Sequence, residues 1–250
     1  MSRSAAEERG IAVFDRFVAR PGSGYIASGF ALGWIIDLVE RRRPERILEV
    51  GSGIGTITSA VLEARDRTGA GGLHVAVEDG PFCLEQFAAN LGPRAAEVVV
   101  VPRAADVVAA VGHVAFDLVI VDGGDPDDLA PEERHTFTAE DRAAEVAAWV
   151  ALVAPGGLVL VANTRAAQRR DLEAQTRRRY AHEHVRPADA TPGLHLYWFE
   201  PSPARRAAAA ARGAANRLWF PTGLRVARTL HRRITGRPMA RRRAVASGQF

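Results

Sequence analysis

The residues able to do chemistry are concentrated in a few short stretches of the 250-residue chain. The first is Glu49-Val50-Gly51-Ser52-Gly53-Ile54-Gly55, which ends the apolar run Ile47, Leu48, Val50. Glycines at 51, 53 and 55 let the backbone take positive φ and bring its N–H groups close to a ligand, where a Cβ would clash. A helix starting near Ile54 points its positive dipole end into the same space. The second stretch is Glu78-Asp79, whose carboxylates can accept hydrogen bonds from the paired hydroxyls of a ribose; Glu78 is the first candidate and Asp79 the second. The third, Asp122-Gly123-Gly124-Asp125, sets an acid beside glycines that permit close approach. The fourth spans residues 123–138, is long for a strand-to-helix connection and carries His135. Asp122 and His135 are the two candidates for a general base.

Charge narrows the ligand. A dinucleotide fingerprint has the spacing G-x-G-x-x-G, whereas here the spacing is G-x-G-x-G and Thr56 stands where the last glycine belongs. Glu49 sits two residues before the first glycine, where a carboxylate repels a pyrophosphate and attracts an ammonium group. S-adenosyl-L-methionine carries an ammonium and a sulfonium, and is the expected cofactor. The residues expected to bind it are Glu49, Gly51, Ser52, Gly53, Gly55, Glu78, Asp79 and Asp122.

These stretches need a scaffold that brings strand ends together. From residue 46 the pattern alternates strand and helix. Strands are expected at 46–50, 73–77, 97–101, 116–121 and 157–161, and helices near 55–66, 81–91, 103–111 and 139–153. Continuous Val/Ile/Leu strands separated by helices predict an α/β fold, a parallel sheet covered on both faces. After a helix at 164–178, two final strands are expected at 180–186 and 194–199. In such sheets ligands lie beyond the carboxyl ends of the strands, where strand order reverses, and the glycine turn, Glu78-Asp79 and Asp122 directly follow predicted strands. Ahead of the sheet, residues 4–20 and 25–42 read as two helices, a common place for a lid. The expected divisions are N-terminal helices at 1–44, a cofactor-binding domain at 45–200 and a basic amphipathic, partly disordered tail at 201–250.

Composition is that of a globular protein, 47% hydrophobic and 25% charged. No run is long and apolar enough for a transmembrane helix. The first ten residues carry acids and no apolar stretch, so no secretory signal is expected. The single cysteine, Cys83, excludes an internal disulfide framework and a cysteine-rich zinc site, and fits a cytoplasmic location. All 33 basic residues are arginine. Twelve of them follow Glu200 with no acid among them, while residues 1–200 hold 21 arginines against 29 acids. A basic tail thus follows an acidic domain. Val226, Leu230 and Ile234 fall on one helical face in that tail, with arginines around the rest. Such a helix can rest on an anionic membrane surface, follow nucleic-acid phosphates or dock on the domain.

Taken together, GSGYIASGFALGWIIDLV, ILEVGSGIGTIT, VAVEDG, FDLVIVDGGD and PGGLVLVANT resemble the class I S-adenosylmethionine-dependent methyltransferases, in particular their small-molecule O-methyltransferase branch of caffeoyl-CoA and catechol type. The likeness spans about residues 22 to 200. It implies a doubly wound, Rossmann-like seven-stranded sheet, mostly parallel with its last strand antiparallel. In that branch the strand-four acid and an Asp-Asn pair after strand five hold a divalent metal. Asp122 and Asn163 match, but Ala162 stands where the pair's aspartate belongs. Two side chains with one charge make a poor site for a hard cation, so no tightly bound metal is expected.

The expected activity is therefore methylation of a hydroxyl on a small-molecule or glycan-like acceptor. The expected partners are that acceptor, an anionic membrane surface met through residues 203–250, and a second copy in a homodimer. Nucleic acid is not expected, because no N-P-P-Y-like motif follows strand four. An RNA or protein methyltransferase using the tail, and a non-catalytic scaffold at a membrane, are the competing functions.

Overall fold

The computed structural model describes residues 4–123, 138–162, 165–176, 179–185 and 193–212. Seven strands form one sheet: β1 (Arg46–Val50), β2 (Leu73–Val77), β3 (Val99–Val101), β4 (Phe116–Val121), β5 (Val153–Ala162), β6 (Tyr180–Val185) and β7 (Leu194–Phe199). Their order is β3-β2-β1-β4-β5-β7-β6, with β7 antiparallel to both its neighbours and the remaining pairs parallel. This is the expected doubly wound sheet with its last strand reversed. Strand order reverses between β1 and β4, which places a crevice at their carboxyl ends.

Register sets what meets in that crevice. Val50 aligns with Val77 on one side and with Val121 on the other, and Val121 aligns with Val161. Backbone bonds continue the stitching past the strands: Gly51 N and Ser52 N donate to Val77 O, and Asp122 N and Gly123 N donate to Val50 O. The residues following β1, β2 and β4 therefore leave the sheet side by side.

The helices are α1 (Ala5–Phe17), α2 (Gly29–Arg42), α3 (Thr56–Thr68), α4 (Pro81–Leu91), α5 (Val107–Val111), α6 (Ala139–Ala151) and α7 (Ala166–Gln175). Serine side chains cap α1 (Ser4) and α2 (Ser28), and Thr138 with Asp141 forms a capping box on α6. One sheet face buries Ile47, Leu118, Ile120, Leu158 and Leu160 against α1, α2 and α3. The other buries Leu48, Val50, Val119, Val121 and Val159 with Trp149 of α6 and Leu172 of α7. The N-terminal helices thus share a core with the sheet. They cross tightly: a Cβ on Gly10 of α1 would lie 2.2 Å from the Gly33 nitrogen of α2.

Several boundaries differ from expectation for local reasons. Residues 23–25 form a 3-10 turn, and α2 begins only after its Ser28 cap. Pro93 lies in a 3-10 turn over 92–97 that shortens β3 to three residues. The helix expected at 103–111 is a 3-10 turn at 104–106 followed by the short α5. Pro155-Gly156-Gly157 lies within β5 as an irregularity, with Phe116 aligned to Val153 but Leu118 to Leu158. The basic tail begins as a helix over 203–212. Ala209 is buried in the α1/α2 core, the Arg205 guanidinium lies 4.0 Å from the Trp198 ring centre, and Arg212 pairs with Glu183 at 2.5 Å. The amphipathic stretch around Val226, Leu230 and Ile234 lies outside the described residues.

Candidate active site

The glycine turn joins β1 to α3, and each glycine meets a different requirement. Gly51 has φ +82°, and a Cβ there would lie 2.2 Å from the Gly123 Cα, so the turns after β1 and β4 touch backbone to backbone. Gly53 has φ +52°, and a Cβ there would meet nothing within 4 Å. It faces open space, as a cradle for a ligand requires. Gly55 caps α3 without a side-chain hydrogen bond, which leaves the first N–H groups of that helix directed towards the turn. Asn90 of α4 holds the turn from behind, its Nδ2 donating to Ile54 O at 3.0 Å.

Glu78, directly after β2, lies where the ribose acid is expected. Its Oε2 accepts from Gly53 N at 2.8 Å and its Oε1 from Gly80 N at 2.9 Å. Burial raises its pKa above the usual carboxylate range, opposed by those two N–H donors. The neighbouring Asp79 is exposed.

Glu49 is wholly buried. Its Oε2 accepts from Thr58 Oγ1 of α3 at 2.8 Å and lies 3.0 Å from His74 Nε2 of β2. Glu49 Oε1, Ser52 Oγ and Thr56 Oγ1 are buried without a hydrogen-bond partner. Buried polar groups are normally paired, so three unpaired oxygens around one turn mark it as more than a chain reversal.

Asp122 emerges beside this turn, and the connection after β5 reaches it. Arg165, itself buried, donates from Nη2 to Asp122 O, and its Nε lies 3.8 Å from Asp122 Oδ1. Gln168, in the first turn of α7, donates from Nε2 to Gly123 O at 3.3 Å. The cation beside Asp122 is thus a guanidinium, and position 162 offers a methyl group. A divalent metal needs several hard oxygen donors, chiefly carboxylates; among the described residues here, Asp122, Ala162, Arg165 and Gln168 offer one carboxylate between them.

The structure therefore brings together Glu49, Gly51, Ser52, Gly53, Gly55, Glu78 and Asp122 at one end of the sheet, with Asp79 at its solvent side. His135, Asn163 and Asp125 lie outside the described residues. Four residues that sequence reasoning passed over complete the site: Thr58, His74, Arg165 and Gln168. His74 sits inside a strand among apolar residues, and only its register opposite Ile47, two residues before Glu49 on the same face of β1, could have paired it with that acid. Arg165 was one arginine among 33.

No protein-family model matches the chain, and no curated protein matches it by sequence. Solved structures match its fold. A methyltransferase from Podospora anserina bound to S-adenosylhomocysteine superposes with a TM-score of 0.55 at 16% identity, over 80% of this chain and 90% of that one. The O-methyltransferase TomG from Streptomyces achromogenes, involved in tomaymycin synthesis and solved with S-adenosylmethionine, gives 0.51 at 20% identity over 80% and 92%. An O-methyltransferase from Bacillus cereus with S-adenosylhomocysteine gives 0.52 at 15% identity over the same shares. At these identities the likeness is one of architecture, and the chain has the fold of the class I methyltransferases.

Proposed function

We propose that the protein is an S-adenosylmethionine-dependent methyltransferase that methylates a hydroxyl of a small-molecule or glycan-like acceptor without a tightly bound metal. The observation that carries this reading is the meeting of an open cradle at Gly53 with Glu78 and Asp122, two acids delivered by aligned strand ends. The solved neighbours that hold S-adenosylmethionine or S-adenosylhomocysteine support the choice of cofactor.

The cofactor supplies an electrophilic methyl group on a sulfonium. The chain's residues bind and align it. Backbone N–H groups of the glycine turn and the α3 N-terminus receive its amino-acid carboxylate. Glu49 contributes negative charge from inside the protein, favouring a cationic ligand over a phosphorylated one. Glu78 accepts from the ribose hydroxyls, with Asp79 as a second acceptor. Asp122 faces the acceptor and takes its proton, with His135 as the alternative base. Alignment of nucleophile, carbon and sulfur in such a displacement supplies about 7–11 kcal/mol of the barrier in favourable cases. The Arg165–Asp122 pair and Ala162 support the metal-free form of the reaction. The turn at 22–25 borders the cofactor turn, since a Cβ on Gly22 would lie 2.8 Å from Ile54 Cγ2 and 2.9 Å from Phe82 Cε1; a covering role for the N-terminal segment belongs to the same proposal.

The test is transfer of an isotopically labelled methyl group from S-adenosylmethionine into a cell extract, with and without a chelator. A labelled small product formed equally under both conditions is expected. Label entering only RNA or protein would favour the competing enzyme class, and chelator-sensitive transfer would overturn the metal-free assignment.

A further inference from the structure

We infer that Arg42, Trp198 and Arg205 form a binding site for a phosphate group, away from the cofactor crevice and towards the opposite end of the sheet. The site is independent of the reaction proposed above.

Three elements meet there. Arg42 is the last residue of α2, and Trp198 lies on β7, aligned with Leu158 of β5. Arg205 belongs to the first turn of the helix over 203–212, where its N donates to Ser202 Oγ at 3.2 Å. Leu158 in turn aligns with Leu118 and Leu118 with Ile47, towards the amino ends of β4 and β1. Both guanidiniums lie against the one indole, Arg205 Cζ at 4.0 Å and Arg42 Cζ at 4.8 Å from its ring centre.

Their charges are not balanced as those of neighbouring arginines are. Arg41 pairs with Asp37, Arg46 with Asp117 and Arg212 with Glu183. Among the described residues, neither Arg42 nor Arg205 has a carboxylate within ion-pair distance. Asp117, whose charge reaches Arg42, already accepts from Arg46 N at 2.9 Å. The hydrogen bond of Arg42 is a long one, from Nη2 to Gly156 O at 3.5 Å. Burial and then the charge of Arg205 lower the Arg42 pKa, as desolvation and a like charge do. Trp198, 6% exposed, keeps its Nε1 buried without an acceptor, whereas buried donors are normally paired. Two cations and an unsatisfied N–H on one side chain call for an oxyanion.

Chemistry selects which one. A cation–π contact uses the guanidinium's charge and leaves its N–H donors available. Those donors form a planar fork that matches phosphate and carboxylate oxygens. A carboxylate has oxygens enough for one fork. A phosphate monoester brings three acceptor oxygens and a charge of about −1.5 to −2, which serves two forks and offsets both cations. That phosphate comes either from a lipid headgroup, met by the arginine-rich chain that follows, or from a soluble compound.

The experiment titrates the full chain with inorganic phosphate by calorimetry at constant ionic strength, with chloride as the balancing anion. Saturable one-to-one binding is expected, weakened at least tenfold in the double variant Arg42→Gln/Arg205→Gln. Should that variant not fold, Arg42→Lys/Arg205→Lys keeps both charges without the forks, and a severalfold loss is expected. Absence of saturable phosphate binding, or equal binding by a folded double variant, overturns the assignment. Sedimentation of the same proteins with phosphatidylcholine vesicles then distinguishes the sources. A wild-type preference for phosphatidic acid over a matched charge of oleate, lost in the double variant, assigns the site to a headgroup. Phosphate binding in solution without that preference assigns it to a soluble phosphate.

Discussion

At the scale of single residues, the buried Glu49–His74 pair is the feature with the largest energetic consequence. Both side chains are fully enclosed, and leaving one partner of a buried hydrogen bond unsatisfied costs about 1–3 kcal/mol, more where the orphaned group is charged. His74→Leu should therefore lower the unfolding free energy by about that amount in urea titrations, and Glu49→Gln in the same background should recover much of it. A loss below about 1 kcal/mol would mean that Glu49 is held by Thr58 alone. Glu78 gives a second expectation, with opposite signs for folding and binding. Its pKa is raised by burial, so its contribution to stability is present at acid pH, below the unfolded value, and is lost as pH rises through the folded value. Ribose hydroxyls donate to the ionised form, so cofactor affinity should fall as pH is lowered through that raised pKa. Glu78→Gln should weaken S-adenosylhomocysteine binding about tenfold at neutral pH, the order of one hydrogen bond to a charged group, and flatten the profile; an unchanged profile would remove Glu78 from the ribose contact.

Among the elements, the glycine turn separates folding from binding. Gly51 is pressed against Gly123, whereas Gly53 faces open space. Both have positive φ, where a non-glycine residue costs about 1–2 kcal/mol. Gly51→Ala adds a backbone clash and should destabilise by about 3 kcal/mol or more, combining that strain with overpacking. Gly53→Ala should cost only the backbone strain in thermal unfolding, yet weaken cofactor binding at least tenfold. Comparable destabilisation by the two would contradict the division of roles. The same contrast explains what could be read in the chain. Strands of four or more β-branched and apolar residues, such as Phe116–Val121, were legible because burial on both faces demands continuous hydrophobicity. The glycine turn and Glu78 were legible because each follows such a strand. Strand β3 and the helix at 103–111 came out shorter than expected, because 3-10 turns at 92–97 and 104–106 are set by local packing. Arg165 and His74 were not legible at all: their meaning is a cross-strand or cross-loop partner, and pairings 43 and 25 residues apart leave no local signal.

For the whole molecule, charge is divided along the sequence, with 21 arginines against 29 acids in residues 1–200 and twelve arginines with no acid after Glu200. The tail's first helix docks on the α1/α2 side through Ala209 and Arg205, while nine further arginines follow it in the sequence. Removing residues 213–250 should abolish sedimentation with anionic vesicles at low salt. Vesicle binding that survives the truncation would exclude the tail as the membrane contact. The central claim concerns the crevice between β1 and β4 and is tested most directly by calorimetric titration of the full chain with S-adenosylhomocysteine, with NADH as control. Saturable one-to-one binding at micromolar concentration, lost in Gly53→Ala and absent for NADH, is the predicted result; no heat with S-adenosylhomocysteine, or saturable binding of NADH, would contradict it.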